Sequence, residues 1–271
     1  MKTINFTKMV ASGNDFVVID AGSVPGIPRL SCFAKSACDR KFGIGADGLL
    51  LIGRSRKADI RMRIFNADGS EAEMCGNGAR CAAFYAAAHR ISSKTGKLSI
   101  ETLAGIIFAE AKKDNIRIKL TDPRDIRLGI PLHLGNRSIK VNFVNTGVPH
   151  AVIFTEGLDK IMINGISRSI RHHKVFAPYG TNVDFIEPID RSSFKIRTYE
   201  RGVEDETLAC GTGSVASAII FALKIGKLSG VKVHTKSKEV LKVYFDQQGM
   251  EFGNVWLEGK ARIVYGGKYY V

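Results

Sequence analysis

Short runs of alternating or continuous apolar residues recur along the chain and predict β-strands. They lie at residues 15–19, 49–52, 60–65, 98–102 and 116–120. Two longer segments predict helices. Residues 79–89 are rich in alanine, a strong helix former, and residues 214–224 are apolar nearly all round. A helix without a polar face is buried on every side, so the pattern predicts curled sheets, each packed around a central helix.

Both predicted helices follow the same motif, and this repetition organises the chain. Cys75-Gly76-Asn77-Gly78 returns as Cys210-Gly211-Thr212-Gly213, 135 positions later. Further matches fall in the same order, namely Gly13 with Gly147, Asp47 with Asp184, and residues 96–99 with 226–229. Ordered matches at a nearly constant spacing indicate a duplicated domain. We therefore predict an α/β (α+β) fold of two pseudo-symmetric domains with mostly antiparallel sheets, 1–122 and 123–256, divided where Pro123 interrupts the strand pattern.

The composition is that of an ordinary globular protein, with 271 residues, 45% hydrophobic and 24% charged. No stretch approaches the roughly 20 apolar residues of a membrane-spanning helix. Residues 1–8 are interrupted by Asn, Thr and Lys, so we do not expect a signal peptide. Five cysteines, an odd number, do not make a disulfide framework. We expect a cytoplasmic protein with reduced thiols and no membrane partner.

A formal net charge of +14 raises the question of nucleic-acid binding. The basic residues are scattered, and their densest cluster, residues 168–174, has no aromatic side chain beside it for base stacking. Motifs of the common nucleic-acid-binding folds do not occur. We interpret the charge as a basic solvated surface that would attract an acidic small substrate, and expect no nucleic-acid partner.

The chemistry points to the two repeated cysteines. Each lies where a glycine-rich turn is predicted to enter a helix, and exposed N–H groups there favour a carboxylate ligand. The same field is expected to lower the pKa of a thiol. If the halves pack with a pseudo-twofold axis, Cys75 and Cys210 face each other across a cleft. One thiolate could then remove a proton from a substrate α-carbon while the other thiol delivers one to the opposite face, as in a two-base racemase or epimerase.

Longer motifs around these cysteines resemble those of one known family, diaminopimelate epimerase. The resemblance rests on residues 64–70, 74–80, 199–202 and 209–213, and on Gly13-Asn14-Asp15-Phe16, residues 43–47 and Pro149-His150, in the family's order over nearly the whole chain. It implies an isomerase that needs no pyridoxal phosphate or other cofactor and converts LL-2,6-diaminopimelate to the meso form in lysine and peptidoglycan precursor synthesis. It also implies that the tail, residues 257–271, returns to the first domain.

The resemblance assigns roles residue by residue. Cys75 and Cys210 match the catalytic pair, supported by His150 and Glu200, of which Glu200 also holds the reacting amine. The remaining matches are substrate contacts: Asn14, Asn66, Gly76, Asn77, Asn182, Arg201, Gly211 and Thr212. The guanidinium of Arg201 suits a distal carboxylate. Two positions depart from the pattern: Gly48 stands where some members have Gln, and Val148 where some have Asn.

Other hypotheses remain open. A related cofactor-independent racemase with a different or broader substrate range would keep both cysteines and change the side-chain pocket, and Gly48 and Val148 leave room for it. A non-enzymatic anion- or RNA-binding protein would show a steep loss of affinity with salt. A metal site is not expected, because Cys32 and Cys38 have no matching His or Cys pair. Gly43, Gly45 and Gly48 form the dinucleotide spacing but lead into a strand, not a helix. We expect a small-molecule partner and a homodimer.

Overall fold

The computed structural model describes residues 3–24, 29–91, 95–135, 137–226 and 228–270. Parts of three features discussed above lie outside these ranges: Met1 and Lys2 of the N-terminal segment, Lys227 of the repeated residues 226–229, and Val271 of the tail. The chain forms two compact units, residues 1–118 with 258–271 (unit 1) and residues 119–257 (unit 2). The domain boundaries proposed from the sequence remain a prediction, because compactness does not test whether each half folds independently.

Unit 1 is built from mostly antiparallel strands and two α-helices. Its elements are β1 (Thr3–Ala11), β2 (Asn14–Asp20), α1 (Leu30–Cys38), β3 (Gly48–Gly53), β4 (Ile60–Asn66), β5 (Glu71–Ala72), α2 (Gly76–Ala88), β6 (Lys97–Thr102), β7 (Gly105–Lys112) and β8 (Asn115–Lys119). β2 and β3 are parallel, as are β4 and β6, whereas β1–β2, β3–β4, β4–β5, β6–β7 and β7–β8 are antiparallel.

Unit 2 repeats this plan. Its elements are β9 (Arg124–Leu134), β10 (Arg137–Asn145), β11 (Pro149–Phe154), α3 (Ile163–Arg171), β12 (Asn182–Asp190), β13 (Ser193–Glu200), β14 (Asp205–Thr207), α4 (Gly211–Ile225), β15 (Gly230–His234) and β16 (Val240–Gln248). β11–β12 and β13–β15 are parallel, and β9–β10, β10–β11, β12–β13, β13–β14 and β15–β16 are antiparallel. The same order of parallel and antiparallel pairs in both units is the structural form of the sequence repeat.

The last two strands close the chain. β17 (Glu251–Lys260) and β18 (Arg262–Tyr270) follow β16, and β18 pairs antiparallel with β1 from Thr3↔Tyr270 to Val10↔Arg262. In unit 2 the corresponding first strand, β10, pairs antiparallel with the strand that precedes it, β9. The C-terminal strand β18 therefore forms with β1 in unit 1 the same antiparallel pairing that β9 forms with β10 in unit 2.

A central helix fills each unit, as the apolar pattern predicts. α2 packs against β1, β2, β3, β4, β6 and β7, and α4 packs against the equivalent β10, β11, β12, β13, β15 and β16. Ala79, Ala82, Ala83 and Ala86 are fully buried, so small side chains let the strands approach α2 closely. The predicted fold class is confirmed. None of the helices among the described residues has both the length and the apolar character needed to cross a bilayer.

Strand register defines which residues of the two units are equivalent. Phe16 pairs with Gly48 as His150 pairs with Asn182, and Leu50 pairs with Ile64 as Asp184 pairs with Thr198. Asp184 therefore corresponds to Leu50, and the sequence match of Asp47 with Asp184 is wrong by three positions. The Gly-x-x-x-Asp pattern shared by residues 43–47 and 180–184 therefore does not mark equivalent positions.

Candidate active site

Cys75 caps the N-terminus of α2. The helix begins at Gly76, and the Cys75 Sγ accepts a hydrogen bond from the Gly78 N–H at 3.5 Å. The sequence pattern predicts a turn over the motif and a helix that begins at Ala79. In the structure the motif is itself the first turn, so the N–H groups of Gly76 and Asn77 belong to the helix start, where they suit an anionic ligand.

Cys210 occupies the same position in unit 2. α4 begins at Gly211, and Ser214 donates a side-chain hydrogen bond to the Cys210 carbonyl at 2.8 Å. The Cys210 thiol is buried, with 7% of the residue exposed, whereas Cys75 is half-buried. Its sulfur lies 3.4 Å from Thr212 Oγ1. Both predicted catalytic cysteines are thus N-cap residues, but their surroundings differ.

Thr212 connects Cys210 to a buried polar network. Its hydroxyl lies 3.0 Å from His150 Nε2, and His150 Nδ1 lies 2.7 Å from the Asp184 carboxylate. Thr198 donates a hydrogen bond to the other Asp184 oxygen at 2.7 Å. His150 and Asp184 are completely buried, and an ion or ion pair in the interior persists only when such partners satisfy it.

The pKa of the Cys210 thiol is raised well above its usual value. Burial is the main cause, and the carboxylates of Glu200 and Asp184 add to it, whereas hydrogen bonds from Thr212 and the Gly213 N–H act in the opposite direction. The prediction that the helix start lowers the pKa of this thiol is therefore wrong for Cys210. Desolvation and two acidic neighbours outweigh the helix field.

Glu200 ends β13 and is half-buried. Burial raises the pKa of its carboxyl group, an effect that a hydrogen bond with Thr207 and the nearby His150 reduce without cancelling. A carboxyl group that is costly to ionise in an empty site becomes favourable to ionise when a cation binds beside it. Glu200 is therefore suited to hold an ammonium group.

In unit 1 a chain of side chains leads from Asn14 into the core. Asn77 donates a hydrogen bond to Asn14 Oδ1, and Asn14 donates one to Asp47 at 3.1 Å. Arg80, completely buried in α2, donates to Asn77 Oδ1 at 2.5 Å and to Ser12 Oγ at 2.8 Å. The structure thus brings together the predicted residues Asn14 and Asn77.

A cluster of charged side chains lies at the Asn14 end of this series of hydrogen bonds. Asp15 lies 2.8 Å from Lys8 Nζ and 2.7 Å from Arg40, which also contacts Asp47 at 2.7 Å. Burial raises the pKa of Asp15, but hydrogen bonds and charge from Arg40 and Lys8 outweigh it and hold the pKa well below its usual value. Asp47, the acceptor for Asn14, is thereby fixed.

Asn66 lies at the end of β4 and is exposed, with its side chain donating to Ser70 Oγ at 2.9 Å. Asn182, in contrast, is buried, and its side-chain amide hydrogen-bonds to the backbone through both its nitrogen and its oxygen. It donates to the Pro149 carbonyl at 2.9 Å and accepts from the Arg201 N–H at 2.8 Å. Asn182 therefore holds the backbone of Arg201 in position.

Arg201 lines a cavity of about 380 Å³ within unit 2, together with Arg127, Phe143, Pro149 and Tyr179. One guanidinium nitrogen donates to the Tyr179 carbonyl at 3.3 Å. Among the described residues the other guanidinium nitrogens of Arg201 have no hydrogen-bond partner. A cation with unused donors, at a cavity that a second arginine, Arg127, also lines, suits a carboxylate.

The two departures from the family pattern have different settings. Gly48 begins β3, and a Cβ there would lie 2.8 Å from the Phe65 carbonyl oxygen, so close backbone approach requires glycine. Val148 lies in the β10–β11 turn, where its carbonyl accepts from the Thr146 N–H at 3.1 Å. Gly48 is thus explained by packing, whereas nothing in the structure explains Val148.

Sequence reasoning missed two buried charges, Asp184 and Arg80. Asp184 stood in the repeat comparison only as a match to Asp47, and Arg80 only as part of the cysteine motif. An aspartate between the apolar Val183 and Phe185 and an arginine in an alanine-rich helix were the available signals, because both cost free energy when buried unless paired.

The other cysteines lie outside this chemistry. Cys81 is fully buried in α2, Cys32 is exposed on α1, and burial raises the pKa of Cys38 to about 11. Among the described residues, no group of three or more His, Cys, Asp or Glu side chains is arranged to hold a metal ion.

The diaminopimelate epimerase family model matches residues 6–124 and 142–264. Curated relatives named diaminopimelate epimerase include those of Aquifex aeolicus, 41% identical over 98% of this chain and 97% of the relative, and Archaeoglobus fulgidus, 43% identical over 87% and 86%. The chain belongs to the diaminopimelate epimerase family. It is accordingly an isomerase of the epimerase type, and the family prediction made from its motifs is confirmed.

Solved structures share the epimerase fold at low sequence identity. A phenazine biosynthesis protein of the PhzF family from Bacillus anthracis is 18% identical with a TM-score of 0.76, covering 100% of both chains. A hydroxyproline epimerase from Agrobacterium vitis is 14% identical with a TM-score of 0.68, covering 99% of this chain and 92% of that one. At such identities the likeness concerns the fold alone.

Proposed function

We propose that this epimerase converts LL-2,6-diaminopimelate to the meso form, in lysine and peptidoglycan precursor synthesis, with Cys75 and Cys210 as the acid–base pair. One thiolate removes the α-proton, and the other thiol delivers a proton to the opposite face of the same carbon. The observation that carries the proposal is that both cysteines are N-caps at equivalent positions of the duplicated fold.

The helix starts supply the binding site for the reacting carboxylate. Gly76 and Asn77 form the first turn of α2, and Gly211 and Thr212 that of α4. Backbone N–H groups at a helix start stabilise a carboxylate and also the charge that spreads onto it when the α-proton leaves. This lowers the barrier to forming the carbanion without a pyridoxal cofactor.

We assign Cys75 as the base and Cys210 as the proton donor when the LL-isomer reacts. The raised pKa of Cys210 supports this assignment, because it favours the thiol form in the empty site. The α-proton passes to Cys75 Sγ, its electron pair stays on the carbon, and the Cys210 proton then forms the new C–H bond. The reverse reaction exchanges the roles.

The charged ends of the substrate have separate partners. Glu200 ionises when it receives the reacting ammonium group, with His150 supporting the same end. Arg201 binds the distal carboxylate, Asn182 positions Arg201, and Asn66 and Asn14 complete the polar contacts. A site built for a second carboxylate is left with unpaired polar groups when a shorter amino acid binds, which is the basis of selectivity.

Solvent-deuterium exchange tests this function directly. LL-diaminopimelate incubated with the protein in D₂O, without pyridoxal phosphate, is expected to gain deuterium at one α-carbon and accumulate as the meso form. Histidine, lysine and glutamate are the comparison substrates. Equal exchange with these amino acids would overturn the assignment in favour of a broader racemase.

We further propose that the enzyme works in the cytoplasm as a homodimer on this small molecule, independently of nucleic acid and membranes. The five cysteines are all free thiols, which suits a reducing compartment. Light scattering of the purified protein measures the assembly, and epimerase activity that is unchanged by added RNA tests independence from nucleic acid.

A further inference from the structure

The contacts between Cys210 and Asp184 form one continuous chain through Thr212 and His150. The successive separations are 3.4 Å from Sγ to Thr212 Oγ1, 3.0 Å from Oγ1 to His150 Nε2, and 2.7 Å from Nδ1 to Asp184. Strands β11, β12 and β13, which pack against α4, provide the titratable groups near the sulfur: His150, Asp184 and Glu200. Every link lies within unit 2.

The directions of the hydrogen bonds are determined by what each group can donate. The Asp184 carboxylate only accepts, so His150 carries its proton on Nδ1 and, when neutral, accepts at Nε2. Thr212 then donates its hydroxyl proton to Nε2 and accepts from the Cys210 S–H. In this arrangement all members are satisfied, and the sulfur is a thiol.

A thiolate at Cys210 requires the opposite direction. A thiolate only accepts, so the Thr212 hydroxyl must donate to it, and Thr212 Oγ1 must then accept from a protonated Nε2. We propose that the Thr212 hydroxyl is a proton relay through which His150 and Asp184 generate and stabilise the Cys210 thiolate. This inference deepens the proposed function, since that thiolate is the base when the meso isomer reacts.

The relay conserves protons and bonds. The Cys210 S–H bond breaks as an O–H bond forms at Thr212, while the original Thr212 O–H bond breaks as an N–H bond forms at His150 Nε2. The Asp184 carboxylate, held by Thr198, faces the resulting imidazolium. Thr212, His150 and Asp184 thus provide a cation for a sulfur that burial and two carboxylates otherwise hold in the thiol form.

The equivalent positions in unit 1 support a dedicated role. Phe16, Leu50 and Ile64 stand where unit 2 has His150, Asp184 and Thr198, and Asn77 stands where it has Thr212. The fold is therefore compatible with apolar residues at three of these positions. The polar residues His150, Asp184 and Thr198 occur in unit 2, whose cysteine is buried.

Substitution at Thr212 separates the relay from a structural role. Thr212→Val removes the hydroxyl and keeps the shape and the backbone N–H, whereas Thr212→Ser keeps the hydroxyl. Thr146→Val is the matched control, because the buried Thr146 hydroxyl donates to the Thr212 carbonyl at 3.2 Å but lies outside the relay. Circular dichroism and thermal unfolding are the controls for the folding of all three variants.

The primary measurement is the iodoacetamide alkylation rate of Cys210, resolved from that of Cys75 by mass spectrometry, in the absence of substrate. We expect Thr212→Val to slow alkylation of Cys210 by at least about tenfold, with Cys75 unchanged, and Thr212→Ser and Thr146→Val to stay within about twofold of the parent. With meso-diaminopimelate, Thr212→Val should lower kcat and leave KM unchanged.

Two results overturn the relay: a Thr212→Val protein that alkylates at the parent rate, or a Thr212→Ser protein as slow as Thr212→Val. Failure of the proposed function is a different observation, namely a parent protein that does not exchange the α-hydrogen of diaminopimelate. Alkylation needs no substrate, so the two outcomes are independent.

Discussion

Gly213 offers a sharp test of the packing beneath the Cys210 helix. A Cβ at this position would lie 2.5 Å from Asp184 Oδ1, closer than a carbon and an oxygen approach without bonding. In Gly213→Ala the carboxylate must therefore move by roughly 0.7 Å to restore an ordinary contact. Its 2.7 Å hydrogen bonds to His150 and Thr198 would then be broken or badly stretched.

The cost follows from these two bonds. Each hydrogen bond to a buried charge contributes about 1.5–3 kcal/mol, and replacing glycine in a helix returns about 1 kcal/mol. The free energy of unfolding should thus fall by about 2–5 kcal/mol. Epimerase activity should fall as well, because His150 loses the partner that orients it.

Gly78 is the matched control, at the equivalent position of the Cys75 motif. A Cβ there would lie 3.2 Å from the terminal methyl carbons of Ile64 and Leu50, which can shift by a few tenths of an ångström. Gly78→Ala should change the free energy of unfolding by no more than about 1 kcal/mol. Urea denaturation of both variants decides the matter, and equal losses would refute the reasoning.

Three further outcomes are expected. Cys75→Ala and Cys210→Ala should each abolish epimerisation in the deuterium assay, whereas Cys81→Ala should cost only packing energy, and an active Cys210→Ala protein would rule out two-base chemistry. Arg201→Met should raise the KM for diaminopimelate by about tenfold or more while alkylation of both reactive thiols continues unchanged. Asp15, whose pKa is held down in the folded protein by its two cationic neighbours, should add stability that is present above about pH 4 and lost as pH falls further. Urea titrations from pH 6 to 3 measure this, and an Asp15→Asn variant with the same pH slope as the parent would contradict it.

Much of the fold could be predicted because the same motifs occur in the same order in both halves, so that each half supports the interpretation of the other. The strand at residues 15–19 appears as β2, that at 60–65 as β4, and the two cysteine motifs mark the two central helices. The helices α1 and α3 went unpredicted. Each is nine residues long and begins without a side-chain N-cap, so both lack the length and the start signal that make a helix predictable from sequence.

The local chemistry was harder to predict than the fold. The helix starts of Cys75 and Cys210 could be located from the motif, but the pKa of Cys210 depends on the charges of Glu200 and Asp184, which lie on the separate strands β13 and β12. Register decides such contacts, and an error of three positions in matching Asp184 hid the network entirely. Strand pairing is a tertiary property that periodicity alone does not fix.

The duplication explains why the two halves had to become different. A proton can cross a carbon between two thiols only if one begins as a thiolate and the other as a thiol, so two identical environments would oppose the proposed reaction. The two units differ in the charged residues that they bury at equivalent positions. Unit 1 buries a cation, Arg80, on the helix that Cys75 caps, where unit 2 has Val215. Unit 2 buries an anion, Asp184, beneath the helix that Cys210 caps, where unit 1 has Leu50. The Asp184 carboxylate raises the pKa of Cys210, whereas unit 1 has the apolar Leu50 at the equivalent position. The two thiols therefore lie in different electrostatic surroundings, as the chemistry of a two-base epimerase requires.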